Sequence, residues 1–174
     1  PPGSLPAPEL GAFTAPLRAG LTATQLRSLS ATNLSALDAT QVGALTSTNI
    51  ATLSDTQVAS FDATQLARLT NTAVKSLDAT QLASLTNAQV QAFSTSQVAA
   101  MDQTDLDEFT ATQVAALTTS QVAGLTTTNV AALTETQVGA LTTTQVKSLS
   151  TTNLSALDAT QAAALTTTQV GQLH

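Results

Sequence analysis

The sequence contains no Cys, Trp or Tyr, and its single His is the last residue, His174. These absences exclude a thiol nucleophile, a disulfide framework, a Cys/His zinc site and an internal imidazole base. Only 9% of the residues are charged, and five basic residues against eleven acidic ones give a net charge of -6. Because a phosphate backbone would be repelled by that charge, we expect no nucleic-acid partner.

Long hydrophobic runs are also missing. No apolar run reaches the roughly 18–20 residues needed to cross a bilayer, and no basic segment followed by an apolar one opens the chain. We therefore expect a soluble chain without membrane insertion. Its 174 residues correspond to one ordinary domain.

What the sequence has in excess is an internal repeat, rich in the 34 Thr residues of the chain. From Leu21 the chain divides without gaps into nineteen octads that end at Gln172, with the consensus L-[TSD]-x-T-Q-[VL]-x-[AS]. Position 1 is always apolar, position 2 is Thr, Ser or Asp, and position 6 is Val, Leu or Ile except at Ala162. Position 5 is Gln or Asn except at Ala73 and Asp105.

Two simple structures fail to accommodate this octad. In one continuous helix the apolar stripe would rotate by roughly 80° per repeat, so no face could be buried. In a strand, positions 1 and 6 would point to opposite faces, and the array holds few glycines for tight turns. A short helix in every octad remains.

The residue types support that helix. Position 2 supplies an N-cap, position 5 is then N3 and closes a capping box, and positions 1 and 6 form a hydrophobic staple. The run 141–146, Leu-Thr-Thr-Thr-Gln-Val, fills all four roles in order. Since helices this short are unstable alone, neighbouring octads must bury their Leu and Val side chains against each other. We predict an all-α fold, a superhelical solenoid with one very short helix per 8-residue repeat; handedness and repeats per turn do not follow from the pattern.

The chain ends differ from the array. All five Pro residues fall in the first sixteen positions, so we expect residues 1–20 to be a Pro-rich linker and N-terminal cap built from degenerate octads. Residues 21–174 are the predicted octapeptide-repeat solenoid. The array stops two residues into an octad, which we interpret as truncation from a longer array.

One octad, residues 101–108, departs strongly from the consensus. Its carboxylates, Asp102, Asp105, Asp107 and Glu108, are candidates for a Ca²⁺ site, because that ion takes six to eight oxygen ligands. The spacing is not that of an EF-hand, and a solvated acidic band or a protein contact are the alternatives. The sequence offers no catalytic constellation, so we expect no enzyme activity, no cofactor and no assigned metal.

Other departures have structural explanations. Phe61, Phe93, Met101 and Phe109 stand at position 1 and are expected in the core. The Asp residues at position 2 are expected to cap helices, favoured by the helix dipole. Thr at position 4 is expected to bond to neighbouring repeats in a Thr/Gln ladder, and a regular Thr lattice also makes ice binding a remote alternative. Two N-glycosylation patterns, 33–35 and 153–155, are close to chance in this composition.

Octads such as those in 117–123 and 140–146 resemble the Leu/Thr/Gln/Val-rich arrays of very large secreted or surface proteins of Gram-negative bacteria, often described as adhesin-like or haemagglutinin-like. The resemblance covers about residues 21–172 and implies a secreted or surface location without transferring functional residues. Two functions follow as hypotheses: a structural stalk or spacer, and a protein-binding solenoid whose exposed positions 3 and 7 contact a partner or a second copy. The bland composition of those positions favours the spacer.

Overall fold

The computed structural model describes residues 22–173, and within them every regular element is a helix of four to six residues. The predicted all-α solenoid of very short helices is confirmed; the predicted linker and cap, residues 1–20, lie outside the described residues. In chain order the helices are α1 (Ala23–Arg27), α2 (Ala31–Ser35), α3 (Ala39–Gly43), α4 (Ser47–Ala51), α5 (Asp55–Ala59), α6 (Ala63–Arg68), α7 (Asn71–Val74), α8 (Ala79–Ala83), α9 (Asn87–Ala92), α10 (Thr95–Ala100), α11 (Gln103–Asp107), α12 (Ala111–Ala116), α13 (Thr119–Ala123), α14 (Thr127–Ala132), α15 (Glu135–Ala140), α16 (Thr143–Ser148), α17 (Thr151–Ser155), α18 (Ala159–Ala164) and α19 (Thr167–Val170).

Each helix begins where octad position 2 caps it. At α16 the hydroxyl of Thr142 accepts a hydrogen bond from the backbone N–H of Gln145 at 3.2 Å, and the Gln145 side chain accepts one from the backbone N–H of Thr142 at 2.7 Å. This reciprocal capping box forms in every described helix except α2, α7 and α17. The expected capping role of Asp at position 2 is also confirmed, at Asp38, Asp62, Asp78, Asp102 and Asp158.

Each six-residue helix ends where position 1 of the next octad becomes extended, whereas the shorter helices end at a C-cap that is still in the right-handed helical region. Leu133 closes α14 with φ -64° and ψ 138°, and its N–H donates to the Val130 carbonyl at 3.2 Å. The following N-cap, Thr134, is extended as well, so two residues redirect the chain before the next helix starts. No described residue has a positive φ. The array therefore turns between helices without needing glycine, which explains why it holds so few.

The core is formed by positions 1 and 6. Every side chain at these positions from Leu26 to Leu149 is buried, because each helix presents them to the inside of the superhelix. The larger residues predicted to lie in this core are buried too; they are Phe61, Phe93, Met101 and Phe109. The last apolar residues are less covered, since no further layer follows them among the described residues, and Val170 is 46% exposed.

The helices stack in layers that the octad pattern did not reveal. Among the described helices, those three places apart along the chain pack together, as α3 does on α6 and α12 on α15; the exception is the pair α8 and α11. Gln145 connects the layers, because its Nε2 donates to the carbonyls of Leu117 at 2.7 Å and Val114 at 3.1 Å. These acceptors lie 28 and 31 residues earlier, in the third and fourth preceding octads. One superhelical turn thus takes between three and four octads.

This amide bond recurs along the stack as a glutamine ladder. The carbonyl 28 residues earlier accepts from the side-chain amides of Gln57, Gln65, Gln81, Gln89, Gln97, Gln113, Gln121, Gln137, Gln145, Gln161 and Gln169. Each of these glutamines therefore uses its oxygen to cap its own helix and its nitrogen to bind the previous turn. A buried polar side chain is tolerated in this core because both of its groups are hydrogen-bonded.

The expectation that position-4 Thr joins such a ladder is wrong. Position 4 is exposed in every described octad, as at Thr128, Thr136 and Thr144. Where a position-4 hydroxyl does bond, it remains within its own octad, as when Thr80 donates to Asp78 at 2.7 Å. Position 4 lies one residue before the inward-facing Gln on the helix, which turns it to the outside.

Candidate functional site

The acidic octad, residues 101–108, forms α11 and its two ends. Asp102 is the N-cap, and its Oδ1 accepts from the backbone N–H of Asp105 at 3.3 Å. The Oδ2 of Asp105 accepts in turn from the backbone N–H of Asp102 at 2.8 Å. Two carboxylates therefore build the capping box that a Thr, Ser or Asp and a Gln or Asn build in the other helices that have one. Asp102 is exposed whereas Asp105 is 6% exposed, so the second carboxylate lies inside the stack.

Asp105 occupies the ladder position of its octad but cannot continue the ladder. Ladder amides such as that of Gln145 donate to the carbonyls 28 and 31 residues earlier; for Asp105 the residues at these spacings are Leu77 and Val74. An ionised carboxylate only accepts hydrogen bonds, so it cannot donate to those oxygens. The packing agrees with this: α8 and α11 approach each other less closely than any other described pair of helices three places apart.

The preceding superhelical turn, which lies next to α11 in the stack, adds one cation and one further carboxylate to this region. Lys75 lies with its Nζ 3.5 Å from Asp102 Oδ2, but both side chains are about half exposed, so the pair contributes little to stability. Asp78 caps α8, the helix beneath α11. Glu108 follows α11, and its Oε2 is shielded from solvent without a hydrogen-bond partner.

Burial, neighbouring carboxylates and hydrogen bonds shift the pKa values of the carboxyl groups in this region. Burial raises the pKa of the Asp105 carboxyl; the Asp102 carboxylate adds to the rise, while the Asp102 backbone N–H and Lys75 oppose it. Burial also raises the pKa of Glu108, and the carboxylates of Asp105, Asp78 and Asp102 add to that rise. The pKa of Asp78 is lowered, chiefly by the hydrogen bonds it accepts within its own octad.

The four predicted candidate residues do not converge on one point. Asp102 and Asp105 meet in the capping box and Glu108 lies near them, but Asp107 lines a separate shallow depression of about 470 Å³ together with Glu135 and Asp158. Among residues 22–173, no three acidic or His side chains are arranged so that they could hold a metal ion. The Ca²⁺ alternative therefore gains no support from the geometry.

Two further patterns from the sequence are buried. Asn33 and Asn153, the acceptors of the glycosylation patterns, are 6% and 5% exposed. The Asn153 Nδ2 donates to the Leu125 carbonyl at 2.8 Å, so this amide belongs to the inter-turn ladder. Neither side chain is available to a modifying enzyme in the folded stack.

Sequence reasoning missed Lys75 and Asp78 as neighbours of the acidic octad. Both lie more than twenty residues earlier, and only the layering of the helices brings them close. The available signal was the substitution itself, since Asp105 and Ala73 are the two residues that interrupt the Gln/Asn column. Without the number of octads in one superhelical turn, the sequence could not show which residues of the preceding turn lie next to Asp105.

In the part of the chain that the structure describes, no helix is long and apolar enough to span a membrane. Comparison with known families finds the ALTTAQ repeat, whose family description matches residues 98–135. No curated protein and no solved structure matches the chain. The match covers four complete octads of the stack, including the acidic one, and parts of the two flanking octads, and so supports a repeat domain of that style.

Proposed function

We propose that this chain is a non-catalytic structural repeat domain that acts as a stalk or spacer in a secreted or surface protein. The observation that carries the proposal is the glutamine ladder. The recurring side chains of positions 1, 2, 5 and 6 are used to start helices, fill the core or bind the previous turn. What the array repeats is therefore a means of adding one layer to the next.

The outer surface supports the same proposal. Positions 3 and 7, which face outward or are only partly covered, are mostly Ala, Thr, Ser and Gly. They form no cluster of the Trp, Tyr and Arg side chains that anchor protein interfaces. A spacer needs a hydrophilic, unreactive surface, and its length follows from the number of octads. The proposed secreted or surface location rests on the resemblance to surface arrays. The match to the ALTTAQ repeat supports the repeat architecture of the proposal.

The proposal predicts that length scales with octad number. Packed helices lie about 8–10 Å apart, so each superhelical turn adds roughly 9 Å to the stack. Inserting a second copy of the four octads 109–140 should lengthen the particle by roughly 10 Å at unchanged helicity per residue. Small-angle X-ray scattering measures the length, and circular dichroism measures the helicity. A particle that becomes wider rather than longer would contradict the proposal.

The alternative is a protein-binding solenoid, and position 4 is the observation that favours it. Thr or Ser stands there in all described octads except at Ala88, although the stack does not use it. Changing Thr128, Thr136 and Thr144 together to Ala tests this. If these changes abolish attachment of the parent protein to its target while melting is unaffected, the binding function replaces the spacer. The triple variant Thr128→Ser, Thr136→Ser and Thr144→Ser, which keeps the hydroxyls and places at position 4 the residue found at Ser96 and Ser120, is the matched control.

A further inference from the structure

The ladder position of α11 differs from every other described position in carrying an acid. At the other ladder positions from Gln57 onward an amide joins successive turns, except at Ala73, which carries no polar group. Asn129, which stands three octads after Asp105, shows what a side chain of the same length does. Its Oδ1 accepts from the backbone N–H of Thr126 at 2.9 Å, and its Nδ2 donates to the Met101 carbonyl at 2.8 Å.

Asp105 has the shape of Asn129 and makes the same first bond. Its Oδ2 accepts from the Asp102 backbone N–H at 2.8 Å. By the register of Asn129, the second oxygen of Asp105 takes the place of the amide nitrogen, and the carbonyl 28 residues earlier is that of Leu77. Two oxygen atoms then face each other where an N–H and an oxygen meet in the other turns. Without a proton between them, this link is repulsive.

The charged groups around Asp105 are few. Lys75 and Asp78 come from the turn beneath, and Asp102 and Glu108 belong to the same octad. The helix that packs on the other side, α14, contains no ionisable side chain, and neither do the chain neighbours α10 and α12. Glu135 on α15 lies with Asp107 in the shallow depression. Burial, the largest effect, and the Asp102 carboxylate raise the pKa of Asp105, while the Asp102 backbone N–H and the half-exposed Lys75 oppose that rise.

We propose that the joint between α8 and α11 is an acid-strengthened link in the stack. A protonated Asp105 carboxyl donates its O–H to the Leu77 carbonyl and so forms the inter-turn hydrogen bond, or rung, that the carboxylate cannot form. The step is a protonation equilibrium, with the proton taken from solvent. It concerns the stack itself and holds whether the array is a spacer or a binding surface. Such a joint would open locally more often than the other joints at neutral pH, and less often in acid.

The direction follows from linkage. Burial raises the pKa of Asp105 in the folded stack, so the folded stack binds this proton more tightly than the unfolded chain does. The joint is therefore weakest above the folded pKa and strengthens as the pH falls through it. The gain is complete below the ordinary carboxyl range of the unfolded chain. Glu108, whose pKa is also raised by burial, acts in the same direction, whereas Asp78, whose pKa is lowered, acts in the opposite one at lower pH.

Native-state amide hydrogen exchange on the full chain tests the proposal. The opening constant of amides in α8 and α11 is measured at about pH 7.5 and about pH 5, corrected for the intrinsic chemistry of exchange, with amides of α15 and α18 as internal reference. We expect opening at the α8–α11 joint to fall several-fold in acid relative to the reference. A ¹³C titration of the Asp105 carboxyl in the same sample should report a pKa above the ordinary value.

Matched variants isolate the group responsible. Asp105→Asn imitates the protonated side chain, so opening should be low at both pH values. Asn129→Asp places the same acid on an ordinary rung and should create a new acid-strengthened joint between α11 and α14. Glu108→Gln controls for the neighbouring carboxyl and should retain most of the response. If Asp105→Asn keeps the full pH response, or if Asn129→Asp opens equally at both pH values, the proposal is overturned.

Discussion

Replacing Gln145 by Ala is the most direct test of how the layers are held together. The side chain is 2% exposed; its oxygen caps α16, and its nitrogen binds the carbonyls of Leu117 and Val114. Truncation to Ala removes these bonds together with a third contact of the nitrogen, to the Ala115 carbonyl at 3.2 Å. It leaves the buried Leu117 carbonyl without this donor, whereas the Val114 carbonyl keeps the hydrogen bond from the Leu117 N–H. We expect Gln145→Ala to lower the free energy of unfolding by about 2–4 kcal/mol, at about 1 kcal/mol for each lost bond and more where a buried group stays unpaired.

A graded series separates the two roles of the side chain. Gln145→Asn should retain the bond to the carbonyl 28 residues earlier, as Asn129 and Asn153 do, and lose the reach to Val114. Its effect on the free energy of unfolding should be about half that of the Ala variant, on the order of 1–2 kcal/mol. Thr144→Ala, at the exposed neighbouring position, is the control and should lie within about 0.5 kcal/mol of the parent chain.

Urea denaturation followed by far-UV circular dichroism gives the overall stability of these variants. Hydrogen exchange at the amides of α13 and α16 shows whether the loss is local to the joint. If Gln145→Ala destabilised no more than Thr144→Ala, the ladder would contribute nothing and the layers would be held by apolar packing alone. If Gln145→Asn matched the Ala variant, the reasoning about side-chain reach would be wrong.

Other predictions concern the repeat, the core and pH. Deleting a whole octad, 125–132, keeps every later Gln in register with the carbonyls below it and should lower the melting temperature modestly; deleting only 125–128 shifts that register by half an octad and should lower it far more. Phe61→Ala should cost about 3–5 kcal/mol in urea denaturation because the ring is fully buried, whereas Phe61→Leu restores the consensus and should cost less than about 1.5 kcal/mol. Asp78→Thr keeps an N-cap of the kind used elsewhere. Because the pKa of Asp78 is lowered in the fold, its contribution is lost as the pH falls through the folded pKa, so the variant should lose less stability than the parent below about pH 4, as thermal melts would show.

The sequence alone determined the unit of the fold. A capping box and a staple join residues three to five positions apart, so each octad encodes its own helix start, and the octad pattern by itself identifies Thr142 as the cap and Gln145 as N3. The buried columns at positions 1 and 6 followed from the same register, including the larger Phe61, Phe93, Met101 and Phe109. These features are local, and local interactions are visible in a pattern of eight residues.

Only the tertiary structure decided how the octads combine. The pairing of helices three places apart and the bonds that span 28 and 31 residues depend on the angle between successive helices, which no single octad specifies. For that reason the sequence indicated a Thr/Gln ladder between repeats but not which carbonyls the Gln side chains bind, and its assignment of ladder bonds to the outward-facing Thr at position 4 is wrong. The same reason applies to Asp105. In the sequence it is one carboxylate among four, and only the layering shows that it is buried at a position where Gln97 and Gln113, in the flanking octads, bind the turn below.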